Sequence, residues 1–188
     1  CLSGLERQTI RSYIKMALRS QNEATAHWGA QMDKSTQKTM FSSATGNWAT
    51  PKDFFQKLDW RFGPFDLDPC ASAQNTKCSN FFTEAEDGLS KDWAGFTSFV
   101  NPPYGRGIDK WIEKAYLSAK KNGTKVVMLI PARTDTKYWH DYVMKASEIH
   151  FVKGRLKFGD SKNCAPFPSA VVVFDGGEEL WRVEGINR

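Results

Sequence analysis

The sequence predicts an α/β fold with a mostly parallel central sheet, helices on both faces and an antiparallel strand at one end. Apolar, strand-like runs alternate with segments of helical periodicity over residues 47–174, which is the pattern of βαβ units. Residues 126–130 are continuously apolar, as is typical of a strand buried on both faces of a parallel sheet. The runs at 149–152 and 170–174 have no helical segment between them, which indicates an antiparallel element at the end of the sheet.

The composition is that of a folded protein with an excess of positive charge. The chain has 188 residues, of which 40% are hydrophobic and 13% aromatic, so it can bury the core of one domain. Its formal net charge of +5 and its pI of about 9.0 favour a polyanionic partner. Apolar runs fall short of the ~18–20 residues of a membrane span and we see no secretory signal, so no membrane partner is expected.

Cysteine and histidine spacing gives no sign of a metal site. The cysteines form no Cys-x-x-Cys pair, and the histidines are not at zinc-ligand spacing. We therefore expect reduced thiols, no bound metal and a cytoplasmic location in a bacterial cell. The residues concerned are Cys1, Cys70, Cys78, Cys164, His27, His140 and His150.

Residues 1–46 are expected to form a helical arm or a small appendage, separate from the main domain at 47–188. Residues 1–20 have the periodicity of an amphipathic helix, and residues 42–46 read as a linker. Between them, residues 24–36 resemble a phage-type helix-turn-helix, although Gln37 stands where an apolar residue would anchor the recognition helix. A DNA-reading pair of helices, an ordinary helical arm and a disordered tail all remain open.

The first helix of the main domain is predicted at residues 52–60. Thr50 is expected to be its N-cap and Pro51 its first residue, because proline is favoured at the first helical position. Apolar residues recur on one side of this segment, so that side is expected to be buried. The residues on it are Phe54, Phe55, Leu58 and Trp60.

Three short strands are predicted next, at 65–68, 81–83 and 96–100. The first ends in Asp68 and Pro69 and runs into a loop of small residues. An acidic residue at the carboxyl end of a strand lies where α/β folds bind ligands, and an ordinary Asp-Pro turn is the competing interpretation. In the acidic stretch that follows, Asp87 taken alone reads as a solvated turn residue.

The second half of the domain continues the alternation. A helix is predicted at 108–121, and Gly123 is expected to end it as a left-handed cap. A strand at 125–130, a helix at 136–146 and a strand at 149–152 follow. A basic turn at 153–158 then leads to the last strand at 170–174.

Residues 101–104, Asn-Pro-Pro-Tyr, follow a buried strand and form the most informative stretch. Two consecutive prolines fix the backbone and remove two N–H donors, so the carbonyls of Asn101 and Pro102 have no local partner. The turn thus offers an amide oxygen, a carbonyl and the Tyr104 ring, which suits a planar heterocycle that carries an exocyclic amine. The alternative is a Pro-Pro turn with an incidental tyrosine.

Several of these segments occur together in one known family. Over residues 48–174 the chain resembles the phage-type N6-adenine DNA methyltransferases, which use S-adenosylmethionine and have a Rossmann-like methyltransferase sheet. The matching segments keep the family's order and similar spacing. They are residues 47–51 (Asn-Trp-Ala-Thr-Pro), 65–71 (Phe-Asp-Leu-Asp-Pro-Cys-Ala), 87–89 with Trp93, 101–104, 131–134, 154–156 with Phe158, and 165–169.

The resemblance implies that two segments hold the methionine end of the cofactor and that an acidic residue approaches its adenosyl base. The implied contacts are Trp48, Thr50, Pro51, Asp68, Pro69, Cys70, Ala71 and, near the base, Asp87. A carboxylate such as Asp68 suits the cofactor's ammonium. Two departures leave the ribose contact open: the glycine-rich loop of larger methyltransferases is replaced by residues 70–73, and only Glu84 or Glu86 could close the second strand with an acid.

The resemblance also implies that residues 101–104 carry out methyl transfer. The Asn101 side-chain oxygen and the Pro102 carbonyl would accept the hydrogens of adenine N6, and Tyr104 would stack on a base turned out of the duplex. Asn replaces an Asp that is also common at this position, so we expect slower turnover with the same reaction. The residues assigned here are Asn101, Pro102, Pro103 and Tyr104.

Double-stranded DNA is the implied partner, and basic residues that follow the strands are expected to contact its phosphates. They are Arg106, Arg133, Arg155 and Lys157. Because no large insertion separates the matched segments, we expect a short or relaxed target sequence. Two alternatives remain: a methyltransferase of RNA guanine or protein glutamine with the same Asn-Pro-Pro-Tyr segment, and a DNA-binding relic of the fold that has lost its cofactor.

Overall fold

A computed structural model describes residues 48–159, 161, 163–176 and 182–187. The predicted amphipathic helix at 1–20, the helix-turn-helix-like segment and the linker at 42–46 lie outside these residues. Within them, no helix combines the length and the apolar character that crossing a bilayer requires.

Helices and strands alternate through most of the described chain. Two short 3₁₀ segments, Glu84–Glu86 and Val143–Lys145, lie within the connecting loops. The main elements are β1 (Leu67–Asp68), β2 (Asn80–Phe81), β3 (Ser98–Val100), β4 (Val126–Pro131), β5 (Glu148–Lys153), β6 (Ser169–Phe174), β7 (Arg182–Asn187), α1 (Lys52–Phe62), α2 (Ile108–Asn122) and α3 (Lys137–Asp141).

The strands form one seven-stranded sheet in the order β2-β1-β3-β4-β6-β5-β7. Every neighbouring pair is parallel except the two pairs that contain β6. The predicted α/β class and mostly parallel sheet are therefore confirmed. The antiparallel strand β6 lies third from the β7 edge, since β5 and β7 complete the sheet beyond it.

The two faces of the sheet carry separate hydrophobic clusters, as the alternation of side chains along a strand requires. On β4, Met128 and Ile130 pack on the side of α2 and α3, whereas Val127 and Leu129 pack on the side of α1. All five residues of 126–130 are fully buried. Helices thus cover both faces, which explains why the sequence of β4 is continuously apolar rather than alternating.

Helix α1 forms where the sequence predicts it, but its first and last residues differ from the prediction. It begins at Lys52 without a side-chain cap, so the prediction of Thr50 as N-cap is wrong. The Thr50 hydroxyl instead accepts a hydrogen bond from Asn101, 51 residues away. Trp60, expected on the buried side, is 90% exposed, and Phe62 takes the core position one turn from Leu58.

The second half contains two further differences. α2 ends at Gly123 as predicted, with φ of 62° and an N–H that donates to Ala119 O. The helix expected at 136–146 stops at Asp141, because the backbone of Tyr142 leaves the helical region at φ −128° and ψ −51°. Strand β7 was not predicted, since residues 182–187 hold only two large apolar side chains and a glycine.

Candidate active site

A cleft opens at the carboxyl ends of β1 and β3. The strand order reverses between these two strands, because β2 lies beyond β1 while β4 lies beyond β3, and open α/β sheets bind ligands at such a switch point. The lining combines the ends of both strands with the segment that precedes α1. It consists of Trp48, Ala49, Thr50, Asp68, Cys70, Asn75, Lys77, Phe99, Asn101 and Pro103.

The Asn101 side chain lies at the centre of this cleft, directly after β3. Its Nδ2 donates to the backbone carbonyl of Trp48 and to Thr50 Oγ1, the latter at 2.9 Å. Its Oδ1 is buried and has no hydrogen-bond partner among the residues that the structure describes. The amide orientation follows from these contacts, since a carbonyl such as that of Trp48 can only accept. Asn101 therefore brings a buried acceptor without a described partner to the lining of the cleft.

Asp68, at the end of β1, supplies a carboxyl group that is only 6% exposed. Burial raises its pKa to about 6, and the Cys70 N–H and the charge of Lys77 oppose that rise. Desolvation dominates because it disfavours the ionised form. At neutral pH the group is ionised in a poorly solvated position, where a cationic ligand would be well held.

The loop after β1 brings two further polar residues to the cleft that the sequence did not single out. Asn75 Oδ1 accepts the Ser72 N–H at 2.7 Å, which closes a tight turn. Lys77 Nζ donates to the Asn75 carbonyl at 3.0 Å, and its positive charge lies close enough to lower the Asp68 pKa. The sequence signal that could have identified Lys77 is its basic side chain in the loop that follows Asp68.

Cys70 lies between the two strand ends. Its sulfur lies 3.9 Å from Asp68 Oδ1 and also receives the backbone N–H of Asn101. Burial, with the neighbouring Asp68 carboxyl, raises the pKa of the Cys70 thiol well above its usual value. The thiol is thus neutral and acts as a packing and hydrogen-bonding group between Asp68 and Asn101.

Tyr104 belongs to an aromatic group beside the cleft, which we call the aromatic wall: Trp48, Tyr104, Phe158 and Phe167. The Tyr104 ring lies nearly parallel to Trp48, with centroids 6.4 Å apart, and meets Phe167 edge-on at 5.4 Å. Its hydroxyl donates to the Leu129 carbonyl at 3.2 Å, and burial raises its pKa well above 10. The hydroxyl therefore forms its hydrogen bond with the backbone of β4.

The remaining residues assigned to the cofactor do not line the cleft. Pro69 and Ala71 are buried behind it, and Pro51 leads into α1. Asp87 is exposed on the segment after β2, with a left-handed backbone at φ of 50°. That segment touches the loop after β1, because Gly88 packs against the Pro69 carbonyl.

The four cations assigned to DNA are exposed and lie on loops that follow the carboxyl ends of β3, β4 and β5. They therefore share the edge of the sheet that holds the cleft. Arg155 also donates to the Ala165 carbonyl at 3.3 Å, so it helps to hold its own loop. The residues are Arg106, Arg133, Arg155 and Lys157.

Comparisons with known proteins agree with this architecture. The chain is 33% identical over 135 residues to a DNA N-6-adenine-methyltransferase of Haemophilus phage HP1, covering 68% of this chain and 78% of the relative. It is 31% identical over 143 residues to the enzyme of that name from Escherichia phage T1, covering 75% of this chain and 58% of the relative. The family model described as DNA N-6-adenine-methyltransferase (Dam) matches residues 37–172. The chain therefore belongs to the family of adenine-specific DNA methyltransferases.

Proposed function

We propose that this chain transfers a methyl group from S-adenosylmethionine to the exocyclic N6 of an adenine turned out of double-stranded DNA. One observation carries the proposal: the Asn101 amide nitrogen donates to Trp48 and Thr50, while its buried oxygen has no partner in the described part of the chain. A buried acceptor without a partner costs about 1–3 kcal/mol, so a donor that arrives with a ligand would recover this energy. The exocyclic amine of adenine is such a donor.

The Asn101 oxygen would act by orienting the amine rather than by removing its proton beforehand. The lone pair of N6 is delocalised into the ring, which makes the nitrogen a poor nucleophile. When Asn101 Oδ1 and the Pro102 carbonyl accept its two hydrogens, the nitrogen becomes more tetrahedral and its lone pair faces the methyl donor. The new bond from N6 to the methyl group would form as the sulfur–methyl bond of the donor breaks, which leaves S-adenosylhomocysteine. N6 would release to solvent one proton, which becomes acidic only as the new bond forms.

The residues of the cleft fit S-adenosylmethionine, which when bound supplies an electrophilic methyl group on a positively charged sulfur. Asp68 would hold the ammonium of the methionine end, because its buried carboxylate is charged at neutral pH and poorly solvated. The Trp48 ring would cover this end of the cofactor. Asp87 would approach the adenosyl base from the segment that Gly88 ties to the Pro69 carbonyl.

The aromatic wall would receive the target base. A base inside a duplex is out of reach of the methyl donor, so it must be extruded and held by stacking. The Tyr104 hydroxyl is hydrogen-bonded to the Leu129 carbonyl, which leaves the Tyr104 ring as the group that would contact the base. The exposed cations on the same edge, Arg106, Arg133, Arg155 and Lys157, would hold the DNA backbone.

The proposal is tested by incubating the protein with methyl-tritiated S-adenosylmethionine and a random duplex library, followed by nucleoside analysis. We expect the label in N6-methyladenine, at a sequence that sequencing of the library then defines. Asn101→Ala should reduce transfer by roughly a hundredfold or more while the affinity for S-adenosylhomocysteine stays unchanged. Label found only in parallel samples of RNA or protein, or no cofactor binding by calorimetry, would contradict the proposal.

A further inference from the structure

We infer that Thr50 is a positioning residue for the Asn101 amide. The inference rests on the proposed function, because it assigns Thr50 to the residue that orients the target amine. It gives the Thr50 hydroxyl a task other than the cofactor contact that family resemblance implies, and it follows from a hydrogen bond that no local sequence rule would indicate.

Two groups from the segment before α1 hold the Asn101 amide, and we call them the amide clamp: the Trp48 carbonyl and the Thr50 hydroxyl. Both accept from Asn101 Nδ2, and Thr50 does so at 2.9 Å. Each of the two N–H bonds of the amide thus has its own acceptor. The oxygen on the other side of the same planar group is buried, and no described residue bonds to it.

The two parts of the clamp have different tasks. If the amide were turned over, its oxygen would face the Trp48 carbonyl, and two acceptors would then oppose each other. The carbonyl therefore decides which end of the amide faces the cleft. The Thr50 hydroxyl takes the second N–H and thereby fixes the plane of the group, so that Oδ1 points in one direction rather than a range of directions.

The clamp itself is rigidly supported. The Trp48 ring packs edge-on against Phe158 at 5.5 Å and against Phe167 at 5.4 Å. The Ala49 carbonyl accepts the Gly159 N–H at 2.8 Å, which ties the segment to the loop after β5. Packing and backbone pairing therefore place the clamp before any ligand arrives.

Among the described residues, the Thr50 hydroxyl has no other hydrogen-bond partner than Asn101. It stands where a helix N-cap is expected, yet α1 has no side-chain cap. The residue is 6% exposed, so its hydroxyl needs an internal partner, and Asn101 is that partner. A threonine or serine is thus required here by the amide of Asn101 and not by the helix.

The inference predicts a defect in turnover that is separable from cofactor binding. Thr50→Val keeps the shape of the side chain but removes the acceptor. The plane of the Asn101 amide is then no longer fixed by a hydrogen bond to residue 50. We expect kcat for adenine methylation to fall by about ten- to a hundredfold, as for other misplacements of reacting groups. Thr50→Ser keeps the hydroxyl and should retain kcat within about threefold. The Kd for S-adenosylhomocysteine should change by less than about twofold in both variants.

A double-mutant cycle assigns the effect to Asn101. In an Asn101→Ala background, Thr50→Val should lower kcat no further, because the amide that it positions is absent. An additional loss in this background would overturn the inference. So would a rise in the Kd for S-adenosylhomocysteine that equals the loss in activity, because Thr50 would then serve the cofactor.

A readout that needs no activity separates this inference from the proposed function. In nitrogen-15 NMR spectra, the side-chain amide signals of Asn101 are identified by their absence in Asn101→Ala. We expect Thr50→Val, but not Thr50→Ser, to accelerate solvent exchange of one of the two Asn101 amide protons. Unchanged exchange would overturn the positioning role even in an active enzyme. If the wild type does not methylate adenine in DNA, the proposed function fails while the exchange rates still decide the role of Thr50.

Discussion

A Cβ atom at Gly88 would lie 1.9 Å from the carbonyl oxygen of Pro69, so these two residues are in direct backbone contact. The contact is fixed from the other side, since Trp93 Nε1 donates to the Gly88 carbonyl at 2.9 Å and the Trp93 ring is fully buried. The loop after β1 and the segment that carries Asp87 therefore form one unit. Asp68 and Asp87, which lie at its two ends, are positioned together.

Gly88→Ala should damage this unit. The added methyl group meets backbone rather than a flexible side chain, so the two segments must separate. We expect a loss of about 1–3 kcal/mol in the free energy of unfolding and weaker binding of S-adenosylhomocysteine, measured by chemical denaturation and calorimetry. Gly185→Ala is the matched control, because a Cβ there meets nothing within 4 Å. Equal stability of the two variants would show that the contact at Gly88 is not a constraint.

The affinity for the cofactor product should depend on the ionisation of Asp68. Burial raises the Asp68 pKa to about 6, and an ammonium is held by the ionised form. We therefore expect the Kd for S-adenosylhomocysteine to be constant at pH 7–8 and to rise about tenfold per pH unit well below pH 6. Asp68→Asn should bind weakly at every pH and lose this dependence. A variant that keeps the wild-type pH profile would place the titrating group elsewhere.

The same carboxyl should lower the stability of the free protein above pH 6. Its pKa of about 6 in the folded state exceeds the ordinary aspartate pKa of 3.8, so the native state holds the proton more tightly than the unfolded chain does. The stabilisation that comes from the Asp68 carboxyl is then fully present below pH ~4. It is lost as the pH rises from there through 6, and above that pH it no longer changes. Asp68→Asn should remove this fall and gain on the order of 1–3 kcal/mol at pH 8 relative to wild type. Urea denaturation at pH 4 and pH 8 measures the difference, with the exposed Asp135→Asn as control.

The positions of the strands and of residues 101–104 were predictable because each depends on local pattern. A continuous apolar run identifies β4, and a Pro-Pro turn must end the strand that precedes it. Asp68 and Asn101 could be placed at one edge for the same reason, since Asp68 ends one of two parallel strands and Asn101 follows the other. These inferences need only the order of elements along the chain.

The features that the sequence did not reveal depend on contacts between distant segments. Thr50 has the sequence context of a helix cap, and only the Asn101 side chain explains why its hydroxyl is used elsewhere. β7 forms because β5 offers a free edge, although its own residues are weakly apolar. The sequence shows that Lys77 is a basic residue in the loop after β1, but only the turn that Asn75 closes explains how it reaches the cleft.

Tyr104→Phe should separate the ring of Tyr104 from its hydroxyl. The hydroxyl donates to the Leu129 carbonyl, so stacking of a base would involve the ring and not the hydroxyl. We expect kcat within about threefold of wild type and a stability loss of about 0.5–1.5 kcal/mol, the usual cost of one hydrogen bond. Tyr104→Ala should instead lose most activity, because the stacking surface is removed. Both are measured by initial rates with saturating cofactor, and a large kcat loss in Tyr104→Phe would assign a direct role to the hydroxyl.

Lys157 should contribute to DNA binding through its charge alone. It is exposed between the buried Leu156 and Phe158, on the loop that supports the aromatic wall, and it lies on the cleft edge of the sheet. Lys157→Ala should weaken binding to duplexes of every sequence and lower the slope of log K against log salt by about 1, because about one phosphate contact is lost. Fluorescence anisotropy at several salt concentrations measures both quantities.

Lys121→Ala is the matched control for this prediction. Lys121 is also exposed, but it lies in the last turn of α2, next to the amino end of β4 and therefore at the opposite edge of the sheet. Its removal changes the net charge of the protein by the same amount, so a general electrostatic effect would appear in both variants. A change of slope in Lys157→Ala alone assigns the contact to the cleft edge, whereas equal changes would mean that DNA responds only to the total charge.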